Sequence, residues 1–304
     1  MTTLAPRVVL VTRQSEYEAL LAAHATRGQA EFFLSTRGQR IVEVEARHVQ
    51  QVRAIAEAKR KVPADWSLAE VQREDLDRFL FTANDIVVAL GQDGLVANLA
   101  KYLAGQPVIG VALDPARSEG ILTRHTLDGL DRLLASVEGN DAPTEARTMV
   151  EAKSSEGTRL TALNELFLGH RSHQSARYVL EHGGEEEFQS SSGVIVSTGT
   201  GLSGWARSIL TATGSAATIG ATDPRAVFLS REPWPSRTSG CKLRQGEIAS
   251  GAELRIVSRI DTGGVIFADG IEQDFLAFDW GVRVDVRIAD RTLNMVLDRP
   301  RGRR

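Results

Sequence analysis

The sequence predicts an α/β domain followed by a β-rich domain, and three observations support this. In the first third, short apolar runs alternate with stretches of helical period, which is typical of a parallel sheet with crossover helices. Beyond about residue 140, short apolar or alternating runs are separated by glycine and charged turns, which favours antiparallel β structure. The length of 304 residues fits two domains at roughly 150 residues per domain.

The composition limits the classes of protein that the chain can represent. With 42% hydrophobic and 25% charged residues, it matches a globular protein with a sizeable core. The 36 basic and 39 acidic residues give a net charge of -3, so we expect no general attraction to nucleic acid or anionic membranes. One cysteine, Cys241, excludes an internal disulfide and favours a reducing cytoplasm. No apolar run reaches about 18 residues and no signal-peptide pattern is present, so neither export nor membrane insertion is expected.

Short apolar runs define the strands of the first domain. The predicted strands are Arg7–Thr12, Ile41–Val44, Asp85–Leu90 and Pro107–Val111. Between the first two strands, apolar residues in a polar background predict an amphipathic helix, broken near Gly28. The segment from His48 to Lys61 is rich in good helix formers and ends before Pro63, and a further helix is predicted over Leu95–Leu103.

The second domain is predicted to consist mainly of strands. These are expected at Ala162–Leu168, Tyr178–Leu180, Val194–Ser197, Ala226–Leu229, Glu253–Val257, Val265–Ala268 and Val282–Ile288. Helices are expected only at Leu127–Val137 and Gly204–Ala212, and Glu185–Glu187 is interpreted as a solvated loop. The basic tail Arg299–Arg304 is interpreted as a frayed terminus. We place the boundary near residue 124, which gives domains of residues 1–124 and 125–304.

The segment Leu90-Gly91-Gln92-Asp93-Gly94 lies where a predicted strand ends and a helix begins. In a parallel α/β sheet this is the edge at which ligands bind. Glycines allow the backbone to approach a phosphate chain, and a helix N-terminus favours negative charge. Asp93 would repel phosphate unless it held a cation or accepted a proton from an attacking hydroxyl, as phosphoryl transfer requires. The alternative is that Asp93 only caps the helix.

Two polar residues, Asn164 and Glu165, interrupt the apolar run Ala162–Leu168. A strand buried on both faces should not carry such groups without partners. Asn164 offers donors and acceptors and Glu165 offers acceptors, a pair suited to ribose hydroxyls or an adenine edge. The alternative is a strand with one buried face and Glu165 in solvent.

The third feature is a stretch rich in glycine, serine and threonine that runs from Ser191 to Trp205. Its glycines match the dinucleotide-binding fingerprint, but that fingerprint belongs to the first βαβ unit of a domain, whereas this stretch lies in a β-rich region. We interpret it as a polar loop whose hydroxyls and amides bind a polar ligand, with Trp205 supplying a flat apolar face. The alternative is a plain connection.

In order along the chain, these three features resemble the NAD kinase family, whose members carry a GGDG loop, an NE motif and a stretch of the form STPTGSTAY. The segments 107–120 and 197–201 are more specifically similar to the mitochondrial-type branch and its bacterial relatives, as are Arg13 and Tyr17. Phe267-Ala268-Asp269-Gly270 is similar to the family's IDG turn, although an Asp-Gly pair alone indicates only a turn.

The resemblance implies a Rossmann-like three-layer α/β domain followed by a β-sandwich-like domain, with the active site between them. It also implies transfer of the terminal phosphoryl group of ATP, or of polyphosphate, to the 2′-hydroxyl of the adenosine ribose of NAD. Asp93 matches the catalytic aspartate. Nucleotide-binding positions would be Gly91, Gln92, Gly94, Asn164, Glu165, Thr198, Thr200, Ser203 and Trp205. Mg²⁺ would screen the phosphates, held mainly by phosphate oxygens and water, and a homodimer or higher homo-oligomer is expected.

The chain departs from the family pattern at several positions. Gln92 replaces the second glycine of GGDG, and its Cβ raises the question of how closely a phosphate can approach and whether φ suits a glutamine. Leu95 replaces a frequent threonine, and Gly204-Trp205 replaces an alanine-tyrosine pair. Two alternatives therefore stay open: a catalytically silent nucleotide-binding protein, and a related kinase that acts on a lipid or sugar hydroxyl.

Overall fold

A computed structural model describes residues 5–114 and 120–298. The tail Arg299–Arg304 and the part of the family-like segment at residues 115–119 lie outside the described residues. Contacts divide the chain into two compact units. The first comprises Met1–Tyr102, Gln106–Thr144 and Met295–Arg304, and the second comprises Leu103–Gly105 and Glu145–Asn294.

The first unit is built on a largely parallel sheet. The strands of this sheet, numbered along the chain, are β1 (Arg7–Thr12), β2 (Ser67–Gln72), β3 (Asp85–Gly91), β4 (Pro107–Ala112), β5 (Thr144–Arg147) and β18 (Leu293–Val296). Of β5 only Thr144, and of β18 only Met295 and Val296, belong to the first unit. The order is β2-β1-β3-β4-β18-β5, with β1, β2, β3 and β4 parallel. All seven residues of β3 are buried. Asp85 at its start pairs with Arg7, and the six residues that follow form the continuous apolar run typical of a buried parallel strand.

The described residues of this unit form five α-helices: α1 (Glu16–His24), α2 (Arg27–Ser35), α3 (Ile41–Lys61), α4 (Asp93–Ala100) and α5 (Leu130–Glu138). The predicted strand Ile41–Val44 is wrong, because these residues form the first turn of α3. Ile41 and Val44 are each 2% exposed while Val42 is 46% exposed. Burial at i and i+3 is helical spacing, and the helix formers that follow extend the same helix to Lys61.

The second unit consists of two six-stranded antiparallel sheets. Its strands are β6 (Val150–Ser154), β7 (Arg159–Ala162), β8 (Glu165–His170), β9 (Ala176–His182), β10 (Glu185–Ser191), β11 (Val194–Thr198), β12 (Arg225–Ser230), β13 (Gln245–Ala249), β14 (Leu254–Ser258), β15 (Gly264–Ala268), β16 (Ile271–Ala277) and β17 (Arg283–Ile288). The orders are β10-β9-β14-β17-β6-β7 and β13-β12-β11-β8-β15-β16. One buried cluster joins the inner faces of both sheets, with Tyr178 and Phe228 among its members, so the predicted β-sandwich-like domain is confirmed.

Two features of the observed organisation differ from the sequence-based expectation. The units divide between Thr144 and Glu145, later than residue 124, because Leu130, Leu133 and Leu134 of α5 pack in the core of the first sheet. Glu185–Glu187 begins strand β10 instead of forming a loop. That strand is at the edge of its sheet, where charged side chains remain solvated. In the part of the chain described, no helix is both long and apolar enough to cross a membrane.

Candidate functional site

The GQDG segment begins at the carboxyl end of β3. Gly91 is the last residue of that strand, Gln92 precedes α4, and Asp93 is the first residue of the helix. Gln92 has φ -118° and ψ 165°, extended values that any residue adopts. The glutamine is therefore unstrained, and the backbone at this position does not require the glycine of the family pattern.

The Asp93 carboxylate accepts four hydrogen bonds from one neighbouring segment. Oδ1 accepts from Leu122 N at 3.1 Å, Thr123 N at 2.8 Å and Thr123 Oγ1 at 2.7 Å. Oδ2 accepts from Ile121 N at 2.9 Å. A carboxylate offers about four lone-pair sites divided between its oxygens, so Oδ2 can still accept from one more donor. The alternative is that Asp93 only caps the helix that begins here. The hydrogen bonds do not show such a cap, because the donors belong to residues 121–123 and not to that helix.

The segment held by Asp93 passes directly over β4. A Cβ at Gly110 would overlap the carbonyl oxygen of Leu122, so this strand requires a glycine where the two backbones meet. Asp93 and Gly110 together place residues 121–123 beside the GQDG turn.

In the second unit, Asn164 lies in the bend before β8 and Glu165 is the first residue of that strand; these two residues are called the Asn164–Glu165 turn below. The carboxylate of Asp269 holds this turn. Asp269 Oδ2 accepts from Leu163 N at 2.9 Å, and Oδ1 accepts from Asn164 N at 2.7 Å and Glu165 N at 3.2 Å. In return, Asp269 N donates to the carbonyl oxygen of Glu165 at 3.0 Å. These bonds satisfy the backbone amides at a break in the predicted strand Ala162–Leu168, which the structure divides into β7, ending at Ala162, and β8, starting at Glu165.

Glu165 is partly buried, and two effects change its acidity. Burial disfavours the charged form, and the negative charge of Asp269 acts in the same direction, which together raise the pKa of Glu165 to about 7. The side chain therefore exchanges a proton near neutral pH. Perturbed carboxyl groups of this kind are frequent at functional sites.

The glycine-rich loop packs against the Asn164 turn. Thr198, the last residue of β11, donates through Oγ1 to Leu163 O at 2.6 Å and accepts from Thr200 N at 3.1 Å. Thr198 N donates to Asn164 O at 2.9 Å. A Cβ at Gly201 would overlap Asn164 O. The second and third sequence features therefore form one hydrogen-bonded structure, while antiparallel pairing of β11 with β8 and β12 excludes a Rossmann-type βαβ unit here.

Arg147 lies behind this loop and is a residue that the sequence analysis missed. Its side chain is 2% exposed and pairs with Glu145 at 2.8 Å. Its Nη1 donates to Thr200 Oγ1 at 3.4 Å. A buried guanidinium needs a charge partner, and here it also fixes the hydroxyl of Thr200. No local pattern marks this arginine, since Thr200 is 53 positions away.

Ser203 and Trp205 use their side chains locally. Ser203 Oγ donates to Thr200 O at 3.0 Å. The indole of Trp205 stacks on Phe167 at 5.7 Å between centroids, and the guanidinium of Arg231 lies 5.1 Å from the indole centroid. The flat face expected to meet a ligand therefore has protein neighbours, and Trp205 stabilises the start of helix α6 (Trp205–Thr213).

The predicted positions form two groups, one in each unit. Gly91, Gln92, Asp93 and Gly94 lie together in the first unit, and Asn164, Glu165, Thr198, Thr200, Ser203 and Trp205 lie together in the second. Within the described ranges, no cluster of three or more His, Cys, Asp or Glu side chains could hold a metal ion.

Comparison with known proteins gives the following similarities. No family model matches the chain. Over 131 residues the chain is 34% identical to the NAD kinases of Thermotoga petrophila and Thermotoga maritima, covering 41% of this chain and 48% of each relative. The chain thus spans about half the length of the curated relatives it matches.

Two solved structures are similar over nearly the whole chain. A crystal structure of an NAD kinase from Archaeoglobus fulgidus in complex with ATP has a TM-score of 0.62 at 16% identity, covering 96% of this chain and 93% of that one. Yeast NADH kinase complexed with NADH has a TM-score of 0.61 at 15% identity, covering 98% and 85%. The chain adopts the fold of these kinases, and the resemblance to the NAD kinase family indicated by its three motifs is confirmed.

Proposed function

We propose that the chain is an NAD kinase that transfers the terminal phosphoryl group of ATP, or of polyphosphate, to the 2′-hydroxyl of the adenosine ribose of NAD. The observation that carries the proposal is the turn at Asn164 and Glu165, which is held by Asp269 and locked to the glycine-rich loop through Thr198. This turn presents amide and carboxyl groups of the kind that recognise ribose hydroxyls. The sequence and fold similarity to NAD and NADH kinases supports the same conclusion.

Asp93 is the proposed catalytic residue of this reaction. The hydroxyl of the acceptor ribose would donate to Oδ2, which among the described residues accepts from Ile121 N and has a further lone pair available. The ribose oxygen attacks the terminal phosphorus of the donor, the bond from phosphorus to the bridging oxygen breaks, and ADP, or polyphosphate shortened by one phosphate, leaves. The hydroxyl proton passes to Oδ2 and then to water. Because phosphoryl transfer depends mainly on positioning and charge stabilisation, the rigid placement of Asp93 is its main contribution.

The other proposed nucleotide-binding positions fall into two sets, which are the glycines near the phosphates and the side chains of the glycine-rich loop. Gly91 and Gly94 flank Gln92 and Asp93 at the N-terminus of α4, where backbone amides favour phosphate. Thr198 and Thr200 form part of the glycine-rich loop, and Arg147 donates a hydrogen bond to the hydroxyl of Thr200. Ser203 and Trp205 support that loop through their local contacts.

Mg²⁺ is proposed to accompany the phosphoryl donor. When bound, it neutralises the phosphate oxygens. Its ligands would be mainly phosphate oxygens and water. We also propose a reducing cytoplasmic location, on the basis of the single Cys241, and a homo-oligomer, on the basis of the family resemblance; light scattering coupled to size exclusion tests the second.

The experiment is a coupled assay for NADP with NAD, Mg²⁺ and either ATP or polyphosphate, run beside Asp93→Asn. NADP formed by the native protein and lost in the variant supports the proposal and identifies the donor. NAD binding by calorimetry without NADP from any donor would favour a silent nucleotide-binding protein. Absence of both would favour a different acceptor hydroxyl.

A further inference from the structure

Asp269 occupies a backbone conformation that few residues other than glycine adopt. It lies in the turn between β15 and β16 with φ 50°, a left-handed value that aspartate and asparagine tolerate better than most residues. Its side chain is directed inward, and the residue is only 9% exposed. Because this backbone conformation costs free energy, a buried carboxylate in the turn indicates a role beyond connecting two strands.

The buried carboxylate does two things at once. It accepts hydrogen bonds from three consecutive amides, at residues 163–165, which fixes the direction in which Asn164 and Glu165 leave the backbone. It also places a negative charge beside the carboxyl group of Glu165. The strands that flank β8 bring Ser197 of β11 opposite Glu165 on one side and the β15–β16 turn on the other. Of the residues that the flanking elements place next to Glu165, the charged one is therefore Asp269.

We infer that Asp269 is a positioning residue for the nucleotide site, which sets both the orientation of the Asn164–Glu165 turn and the charge state in which Glu165 meets its ligand. The inference rests on the proposed function, since it concerns the same site. The raised pKa of Glu165, with burial as the larger cause and Asp269 as the second, is consistent with the geometry.

The chemical consequence concerns the hydroxyl groups of the substrate. A neutral carboxyl both donates and accepts hydrogen bonds, whereas a carboxylate only accepts. A ribose hydroxyl that donates to Glu165 favours the charged form, so binding of NAD would release a proton from Glu165 near neutral pH. The KM for NAD should therefore improve as the pH rises through about 7, and Asp269 determines where that change occurs.

The test uses Asp269→Asn, with Asp261→Asn as a matched control in an exposed turn. Asparagine tolerates the left-handed conformation, keeps one acceptor oxygen and removes the charge. The titration of the Glu165 carboxyl carbon is followed by NMR, with Glu165→Gln to assign the signal. We expect a midpoint near 7 in the native protein, a midpoint lower by about one pH unit in Asp269→Asn, and no change in Asp261→Asn. The pH at which the KM for NAD changes should shift in Asp269→Asn by the same amount as the NMR midpoint. The value of kcat should change less than the KM.

The outcomes separate this inference from the proposed function. The NMR titration does not depend on phosphoryl transfer, so a shifted midpoint without NADP formation supports the electrostatic role of Asp269 and contradicts the kinase. An unshifted midpoint in folded Asp269→Asn overturns the inference even if NADP is formed. If that variant does not fold, the native titration still decides, because a Glu165 midpoint near its ordinary value of 4.5 overturns the inference.

Discussion

Thr123 donates two hydrogen bonds to the same oxygen of Asp93, one from its backbone amide at 2.8 Å and one from its hydroxyl at 2.7 Å. The residue proposed to orient the acceptor hydroxyl is therefore itself oriented by the segment that crosses β4. A carboxylate held by several donors loses little freedom when a ligand arrives, which is the preorganisation that phosphoryl transfer requires.

The first prediction concerns Asp93→Asn. The amide retains one acceptor oxygen but places donors opposite the backbone amides, and it cannot take a proton from the ribose hydroxyl. We expect kcat for NADP formation to fall by about 100-fold or more, with a smaller change in NAD affinity measured by calorimetry. Thr123→Val is the control, because it removes one of the four hydrogen bonds and leaves the carboxylate. Equal losses in the two variants would show that Asp93 acts only by holding the segment.

The second prediction concerns the glycine of β4. Gly110→Ala would force a methyl group against the carbonyl oxygen of Leu122, so the crossing segment must move. We expect the free energy of unfolding to fall by about 2 kcal/mol or more, measured by urea denaturation. Gly28→Ala is the comparison, since no heavy atom lies within 4 Å of a Cβ there and alanine is the better helix former. A Gly110→Ala protein as stable as Gly28→Ala would contradict the observed crossing.

The third prediction separates a glycine required by the fold from one required by a ligand. Gly201→Ala would push a methyl group into Asn164 O, so both stability and NAD binding should decrease. At Gly94, in the first turn of α4, a Cβ meets no atom within 4 Å and alanine is the better helix former, so Gly94→Ala should not lower the midpoint of unfolding. If phosphate approaches this turn, Gly94→Ala should nevertheless raise the KM for ATP about 10-fold, equivalent to about 1.4 kcal/mol. An unchanged KM would remove Gly94 from the proposed phosphate site.

The fourth prediction concerns Gln92→Gly, which restores the family pattern. Because Gln92 is extended at φ -118°, glycine relieves no strain, and it adds conformational freedom to the unfolded chain. We expect kcat to be equal or lower and stability to fall by about 0.5–1 kcal/mol, measured by NADP formation and urea denaturation. A rise in kcat would mean that the side chain of Gln92 obstructs the donor phosphates.

Features that depend on residues close together in the sequence could be predicted, whereas contacts between residues far apart in the sequence could not. Strands β1, β3 and β4 are continuous apolar runs and could be predicted from local pattern, whereas Ile41–Val44 could not, because four apolar-rich residues fit both strand and helix spacing. Asn164 and Thr198 were identified by motif. Asp269 was also identified by its similarity to a family turn, but its contact with Asn164 could not be predicted, since the two residues are 105 positions apart and no local signal encodes that contact.

The last prediction follows from the raised pKa of Glu165 and does not depend on catalysis. A carboxyl group whose pKa rises from 4.5 to about 7 on folding binds its proton more tightly in the folded state. Its contribution to stability is therefore present below pH 4.5 and is lost as the pH rises through about 7. Glu165→Gln removes this titration, so at pH 8 the variant should be more stable than the native protein by about 1–3 kcal/mol. At pH 4 the difference should be small. Glu156→Gln, in an exposed hairpin turn, is the control and should show no such dependence in urea denaturation at the two pH values. A native protein that gains stability relative to Glu165→Gln between pH 4 and pH 8 would mean that Glu165 is better accommodated as a charged group than its burial beside Asp269 implies.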